Sequence, residues 1–180
     1  MSGPTTLYDF AAELLQTCAD ALDTTDAGAP DRRFVSPGLP VIDCCPMLSV
    51  HVGAILEGQT SPASPPMVAG HRSSFMKQPI TQMVITIVRC VPTGGGENAD
   101  SYRPPSAAQI DASAEMLDID AWVIVNYINW KQRSGDQFLG SCQALFIDPA
   151  VPLDPQGGCG GWQIPLRVAI PGYDAYGAPT

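Results

Sequence analysis

The stretch ITQMVITIVRCV, residues 80–91, is the strongest indication of how this chain folds. Because side chains alternate between the two faces of a strand, a strand that is apolar at both sets of positions is typical of the buried centre of a sheet. Both sets are apolar here: Ile80, Val84, Val88 and Cys90 on one face, and Met83, Ile85, Ile87 and Val91 on the other. We therefore place this segment in the middle of a sheet.

Four other segments predict strands around it. Residues 47–56 alternate between apolar and polar side chains, which predicts a half-buried strand with His51 on its polar face. Residues 162–170 show the clearest alternation in the chain, and residues 142–148 form a further apolar run. Residues 32–36 are indicated as a short strand, because a proline and a glycine follow them at once.

Two segments have the spacing of helices. Residues 5–23 begin with Thr6 and Asp9 in the order of a capping box, and residues 106–133 begin with Ser106 and Gln109 in the same order. The second helix is long, and a break near residues 118–120 is left open. Its inward stripe is predicted from apolar residues that recur every three or four positions: Ile110, Ala114, Leu117, Ala121, Ile124 and Ile128.

These elements predict an α+β fold made of one domain, residues 1–180. An antiparallel sheet of four to five strands carries the N-terminal helix and the long central helix on one face. Long loops join the strands at residues 57–78, 92–105 and 149–161. The strand side chains Trp162, Leu166 and Val168 are expected to pack on the long helix, opposite Leu117, Ala121 and Ile124.

The composition restricts the classes of function. The 180 residues include 18 acidic and 9 basic side chains, for a formal net charge of −9, which disfavours binding to phosphate backbones through a basic surface. No apolar run reaches the length of a membrane span, and the N-terminus lacks the pattern of a secretory signal, so we expect folding in a cytoplasm. Most of the six cysteines are interpreted as small core residues.

Candidate chemistry is sparse. Zinc would need ligands such as Cys44, Cys45, Cys159, His51 and His71, but adjacent cysteines rarely share one tetrahedral ion and no C-x-x-C pair occurs. Packed thiols are the favoured interpretation, with a vicinal or Cys45–Cys159 disulfide as the remaining alternative. Without a nucleophile motif nearby, His51 is interpreted as a solvent-facing or subunit-facing histidine.

Two other motifs carry little chemistry. Asp118 and Asp120 are two positions apart on a helix and point about 200° apart, so a helix-start or solvated role is favoured for both. The glycines at 94–96 lack the lysine that follows a phosphate-binding loop, so they predict a hairpin tip. No cofactor is expected.

The order of elements and the character of several segments nevertheless resemble one family. The segments are TTLYDFAAELLQTCADAL (5–22), DCCPMLSVHVGAIL (43–56), MVITIVRCVP (83–92), MLDIDAWVIVNYINWKQR (116–133) and GGCGGWQIPLRVAIPG (157–172). They resemble the tail terminator proteins of long-tailed phages of actinobacteria, and the resemblance covers nearly the whole chain.

The resemblance implies a structural virion protein and no enzyme activity. A subunit of this kind forms a hexameric ring that caps the tail tube, stops its polymerisation and joins it to the head-side neck or connector protein. DNA would pass through the channel without sequence-specific binding, and no membrane is involved. Assembly is expected in the host cytoplasm, with the product in the tail or neck of the virion.

Two alternatives stay open at this point. The chain is also compatible with another head-to-tail joining protein, a head-closure or adaptor subunit. A small metalloenzyme that uses Cys44, Cys45 and His51 is the other alternative.

Candidate functional residues follow from loop placement and side-chain chemistry. The candidate residues for subunit or partner interfaces are Met67, His71, Arg72, Phe75, Arg103 and Trp130. The candidate channel-lining residues are Glu97, Asp100, Asp111 and Glu115, because loops and helix flanks can reach a ring axis that core strands cannot.

Overall fold

Two helices and a six-stranded, mostly antiparallel sheet make up the computed structural model, which describes residues 6–40, 42, 46–56, 80–95, 102–134, 144–156 and 158–169. The α+β class predicted from the sequence is confirmed. In chain order the elements are α1 (Leu7–Leu22), β1 (Arg32–Ser36), β2 (Met47–Leu56), β3 (Ile80–Cys90), α2 (Ala107–Arg133), β4 (Ala144–Ile147), β5 (Val151–Gln156) and β6 (Cys159–Ala169).

The strand order places β3 at the centre of the sheet, as its sequence predicts. The order is β1-β2-β3-β6-β4, and β5 also pairs with β6, so β4 and β5 together form one edge. Two details of the prediction are wrong. The sheet has six strands in place of four to five, and β1 runs parallel to β2 while the other pairs are antiparallel.

Strand β5 is the element that the sequence analysis missed, since it lies within the predicted loop 149–161. Pro152 and Pro155 hid it, because proline cannot donate to a ladder and argues against an interior strand. At the edge of the sheet, one side of the strand needs no partner, so both prolines are tolerated there. Gly158, at φ +85°, then turns the chain into β6.

The core lies between both helices and one face of the sheet. Helix α1 begins with the predicted capping box, in which the Asp9 amide donates to Thr6 Oγ1 and the Thr6 amide donates to Asp9 Oδ2. One continuous cluster joins the two helices to strands β2, β3 and β6. Its fully buried members include Phe10, Leu14, Leu48, Ile85, Ile124, Ile128, Ile164, Leu166 and Val168, with Trp162 packed against it.

Helix α2 runs without a break through residues 118–120, and the predicted Ser106–Gln109 capping box is present. Only its C-terminal half is packed as predicted, with Ala121, Ile124 and Ile128 buried. The predicted stripe is wrong in the N-terminal half, where Ile110 is 54% exposed and Ala114 is also exposed. Ile110 and Ala114 are not members of the buried apolar cluster, so their side chains lie on the surface.

A buried ion pair fixes the middle of α2 against the sheet. Arg89 of β3 donates from Nε to Asp120 Oδ2 at 2.8 Å and from Nη2 to Asp120 Oδ1 at 3.1 Å. The predicted helix-start or solvated role of Asp120 is therefore wrong, because its carboxylate is needed to neutralise a buried guanidinium. Asp118 is exposed, as the 200° separation requires.

The second face of the sheet is also buried, so β2 is not the half-buried strand that its alternation predicts. Met47 and Val88 pack with Cys159 on this face. Ser49, Thr86 and His51 lie beside them, and His51 is only 2% exposed. The predicted solvent-facing or subunit-facing position of His51 is wrong, because the first half of β2 is buried on both faces within the subunit.

Candidate functional site

An open, mainly apolar groove lies between α2 and the β4–β5 edge among the described residues, and we call it the edge groove. Its first part is formed by Trp122 and Val125 of α2, Phe146 of β4, Pro149 and the ring of Trp162. Trp122 is 69% exposed and Phe146 is 48% exposed. Large aromatic side chains in such positions are typical of protein–protein interfaces.

The second part of the edge groove continues along the N-terminal half of α2. Its floor is Pro152, Leu153, Pro155 and Trp162, and Asp118 and Trp162 line both parts. Strand β5 supplies three of these floor residues, and this strand was predicted as a loop. The groove therefore follows the whole length of the edge formed by β4 and β5.

Carboxylates form one wall of this second part. Asp111, Glu115 and Asp118 are separated by four and three positions, so they lie on one face of α2, and all three are exposed. No lysine or arginine lies three or four positions from any of them. Like charges at this spacing destabilise a helix slightly, so the acidic stripe is unfavourable in the isolated subunit.

An ion pair stabilises the turn that joins β4 to β5 at the end of the groove. Arg167 of β6 donates from Nη2 to Asp148 Oδ1 at 2.7 Å and from Nε to Asp148 Oδ2 at 3.0 Å. The hydrogen bonds that Arg167 donates to the Asp148 carboxylate raise the pKa of Arg167, which stays charged. Its guanidinium also lies 5.9 Å from the centroid of the Phe146 ring. The one cation beside the first part of the groove is thus already paired within the described structure.

Ser49, His51 and Thr86 form the other polar cluster of interest, on the buried second face of the sheet. Ser49 and Thr86 are direct cross-strand partners. Ser49 Oγ, His51 Nδ1 and Thr86 Oγ1 are buried and have no hydrogen-bond partner among the described residues. Burial lowers the pKa of His51, which favours the neutral imidazole.

The residues considered for metal or nucleophilic chemistry are not brought together where the structure describes them. Within that part of the chain, no three His, Cys, Asp or Glu side chains lie close enough to hold a metal ion. Cys44, Cys45 and His71 lie outside the described residues. Cys18 is a packed thiol in α1, and burial raises its pKa far above the ordinary range.

Four of the predicted interface residues lie outside the described residues: Met67, His71, Arg72 and Phe75. Arg103 is exposed and pairs through its backbone with Gly95 in an isolated bridge. Trp130 is 58% exposed near the end of α2, with its ring centroid 5.5 Å from that of Tyr127. Neither residue lines the edge groove.

Of the predicted channel-lining residues, Glu97 and Asp100 lie outside the described residues. Asp111 and Glu115 are exposed on the acidic wall of the groove, together with Asp118. The sequence analysis missed Trp122, Phe146 and Trp162 as groove residues. The helical pattern did contain an indication that Trp122 faces away from the core. Trp122 directly follows the buried Ala121, and successive positions of a helix are turned by 100° from each other.

Comparison with known proteins adds no relative: no protein-family model matches the chain, and no curated protein shows significant sequence similarity to it. No helix among the described residues is long and apolar enough to cross a membrane.

Proposed function

We propose that this chain is a structural subunit of a phage virion, a tail terminator that forms a ring on the end of the tail tube. The observation that carries the proposal is the edge groove, an open apolar surface with Trp122 and Phe146 exposed. An aromatic surface of this kind, next to a polar rim, favours a lasting protein partner over a small-molecule substrate. The segments quoted above, which resemble tail terminators, supply the identity of the assembly.

The two edges of the sheet differ, which suits assembly into a ring. The groove follows the β4–β5 edge, whereas the opposite edge is β1, with the exposed side chains of Arg32 and Arg33. Contacts between two unlike surfaces are heterologous, and they generate closed rings when the rotation between subunits closes. The two edges also differ in charge, so an edge does not match a second copy of itself, and this difference favours head-to-tail contacts.

In the proposed role the subunit acts by binding alone and needs neither a cofactor nor a catalytic group. Six copies form the ring, one side of which binds the tail tube protein and the other the head-side neck or connector protein. DNA passes through the channel without sequence-specific binding. The protein is assembled in the host cytoplasm and stays in the tail or neck of the virion.

Removal of the chain from an otherwise complete phage tests this function. Without the protein, we expect tubes of abnormal and variable length and filled heads without tails, as seen by electron microscopy. Adding the purified wild-type chain to the mutant lysate should restore joined particles. Tubes of normal length in its absence, or its location on the head side of the joint, would reject a tail terminator.

A further inference from the structure

The edge groove leaves Trp122 and Phe146 exposed, and the chain itself contains a segment of matching chemistry. We propose that the edge groove of one subunit binds residues 57–79 of a neighbouring copy. The inference rests on the proposed ring and deepens it, because it names the two surfaces that meet between subunits. Trp122 is 69% exposed in the groove, and we assign the occupant to a second copy because the proposed ring brings copies into contact.

The charge of the groove selects a cationic occupant. Asp111, Glu115 and Asp118 are exposed along one wall, and Asp154 of β5 is exposed beside the floor residue Leu153. Arg167, a described cation at the other end of the groove, already binds Asp148. A basic segment would therefore remove the like-charge repulsion of the stripe when it binds.

Residues 58–79 have this complementary chemistry. They contain no aspartate or glutamate in a chain with 18 acidic residues, and they carry Arg72 and Lys77. Met67 and Phe75 supply large apolar side chains for the floor of the groove. Pro62 and Pro65 have the P-x-x-P spacing that aromatic-lined grooves bind, because proline restricts the free chain and lowers the entropy lost on binding.

The segment starts from a position that allows this contact. It joins Leu56 of β2 to Ile80 of β3, which pair with each other at one end of the sheet. Half of such a connection, about 11 residues, spans up to roughly 36 Å when extended. The width of two strand spacings, from β3 to β4, is only about 10 Å. The segment is thus long enough to pass the edge of its own sheet and reach an adjacent subunit.

Photo-cross-linking from the groove tests the contact directly. We would replace Trp122 with the photoreactive amino acid benzoylphenylalanine, which its exposure makes tolerable, in the full chain. Unlabelled and ¹⁵N-labelled copies are mixed in dilute solution, concentrated and irradiated. The expected product is a peptide containing residues 67–77 joined to the α2 peptide, with mixed labels in about half of the pairs. Cross-links to other segments, to residues 67–77 of the same copy only, or none at all would overturn the proposal.

Charge reversal provides the second measurement. Glu115→Lys with Asp118→Lys should lower the mixed-label cross-link about tenfold or more, because like charges then face each other across the interface. Adding Arg72→Glu and Lys77→Glu to the same chain should restore it. The matched control is Glu13→Lys with Asp31→Lys, two exposed positions that do not line the groove, which should leave the yield unchanged.

The outcomes also separate this inference from the proposed function. If the reversed chain still gives the cross-link, or the compensating changes fail to restore it, the groove contact is wrong even where tails are capped normally. If the cross-link behaves as expected but tubes end normally without the protein, the tail-terminator role is wrong and the contact between copies stands.

Discussion

Arg89 and Asp120 form a bidentate ion pair in which the two side chains are only 8% and 1% exposed. Arg89 Nη2 also donates to the carbonyl oxygen of Gly28 at 2.6 Å. The pair therefore connects β3, the middle of α2 and the turn after α1. Because Asp120 faces inward, Asp118 and Trp122, two positions away on either side, are turned towards the groove.

Asp120→Asn should destabilise the fold by about 3 to 5 kcal/mol, since it leaves the Arg89 guanidinium buried without its counter-charge. Urea denaturation measures the change in the free energy of unfolding. Asp118→Asn is the matched control, because its side chain is exposed on the same helix, and it should change stability by less than about 0.5 kcal/mol. Equal effects of the two changes would contradict the role of the buried pair.

Leu166→Ala should cost about 2 to 5 kcal/mol, because Leu166 is fully buried in the core shared by both helices and its truncation leaves a cavity. Ile110→Ala removes a comparable side chain that is 54% exposed on α2, and it should cost less than about 0.5 kcal/mol. If the Ile110 variant lost as much stability as the Leu166 variant, the first turns of α2 would pack on a core after all.

The backbone layout was predictable where apolar periodicity was strong. The predicted bounds of β1 and β2 match the structure, and β3 is central because both of its faces are apolar. The exposure of single side chains was less predictable. His51 lies at a polar position of the alternating pattern in β2, yet it is buried. Burial of the second face of the sheet depends on the residues that cover it, and the alternation within β2 does not indicate which residues these are.

The candidate site was harder to predict, because it lies between elements that are distant in sequence. Trp122 belongs to α2, whereas Phe146 and Leu153 belong to β4 and β5. Pro152 and Pro155 argued against a strand at β5, so the floor of the groove was not predicted. The ion pair that orients α2 depends on Arg89, which is 31 positions from Asp120 in the sequence. Periodicity within one segment reports neither relationship.

The stability of the fold should decrease on acidification because of His51. Burial lowers the pKa of His51 in the folded state, whereas the unfolded side chain titrates near about 6.5. The unfolded state therefore binds more protons as the pH falls below about 6.5, and the free energy of unfolding drops until the folded-state pKa is passed. The free energy of unfolding measured between about pH 7.5 and pH 5 should fall less steeply in His51→Gln. An unchanged slope would show that His51 titrates normally.

Deleting residues 61–74 should leave the fold intact and abolish rings on tail tubes. The deletion removes Arg72 and the P-x-x-P spacing but none of the described core residues. Circular dichroism and urea denaturation should match the wild-type chain, while electron microscopy of tubes mixed with the variant should show no terminal ring. Normal rings from the deletion variant would refute an assembly role for this segment.

Lysine substitutions at the four acidic residues predicted to face the channel test whether the charge of its wall matters. Asp111 and Glu115 lie beside Pro152 and Trp162 in the edge groove, which favours a protein partner for them. Lysine at both positions should then prevent ring assembly.

Glu97→Lys with Asp100→Lys should instead allow assembly and put about twelve cations around the DNA in a hexameric ring. DNA ejection should then be slowed or incomplete, and higher salt should relieve this defect, because phosphate contacts weaken as salt rises.

The two pairs of variants are expected to affect different steps, ring assembly for one pair and DNA ejection for the other. If lysines at 111 and 115 gave normal rings and salt-sensitive ejection, those carboxylates would face the DNA and the acidic wall of the groove would have no protein partner. If lysines at 97 and 100 left ejection unchanged at low salt, with the substitutions confirmed in the virion, the loop would not line the channel. Ejection kinetics and ring counts on the same preparations separate these results, because repulsion between subunits acts before DNA is packaged and attraction to DNA acts only after it.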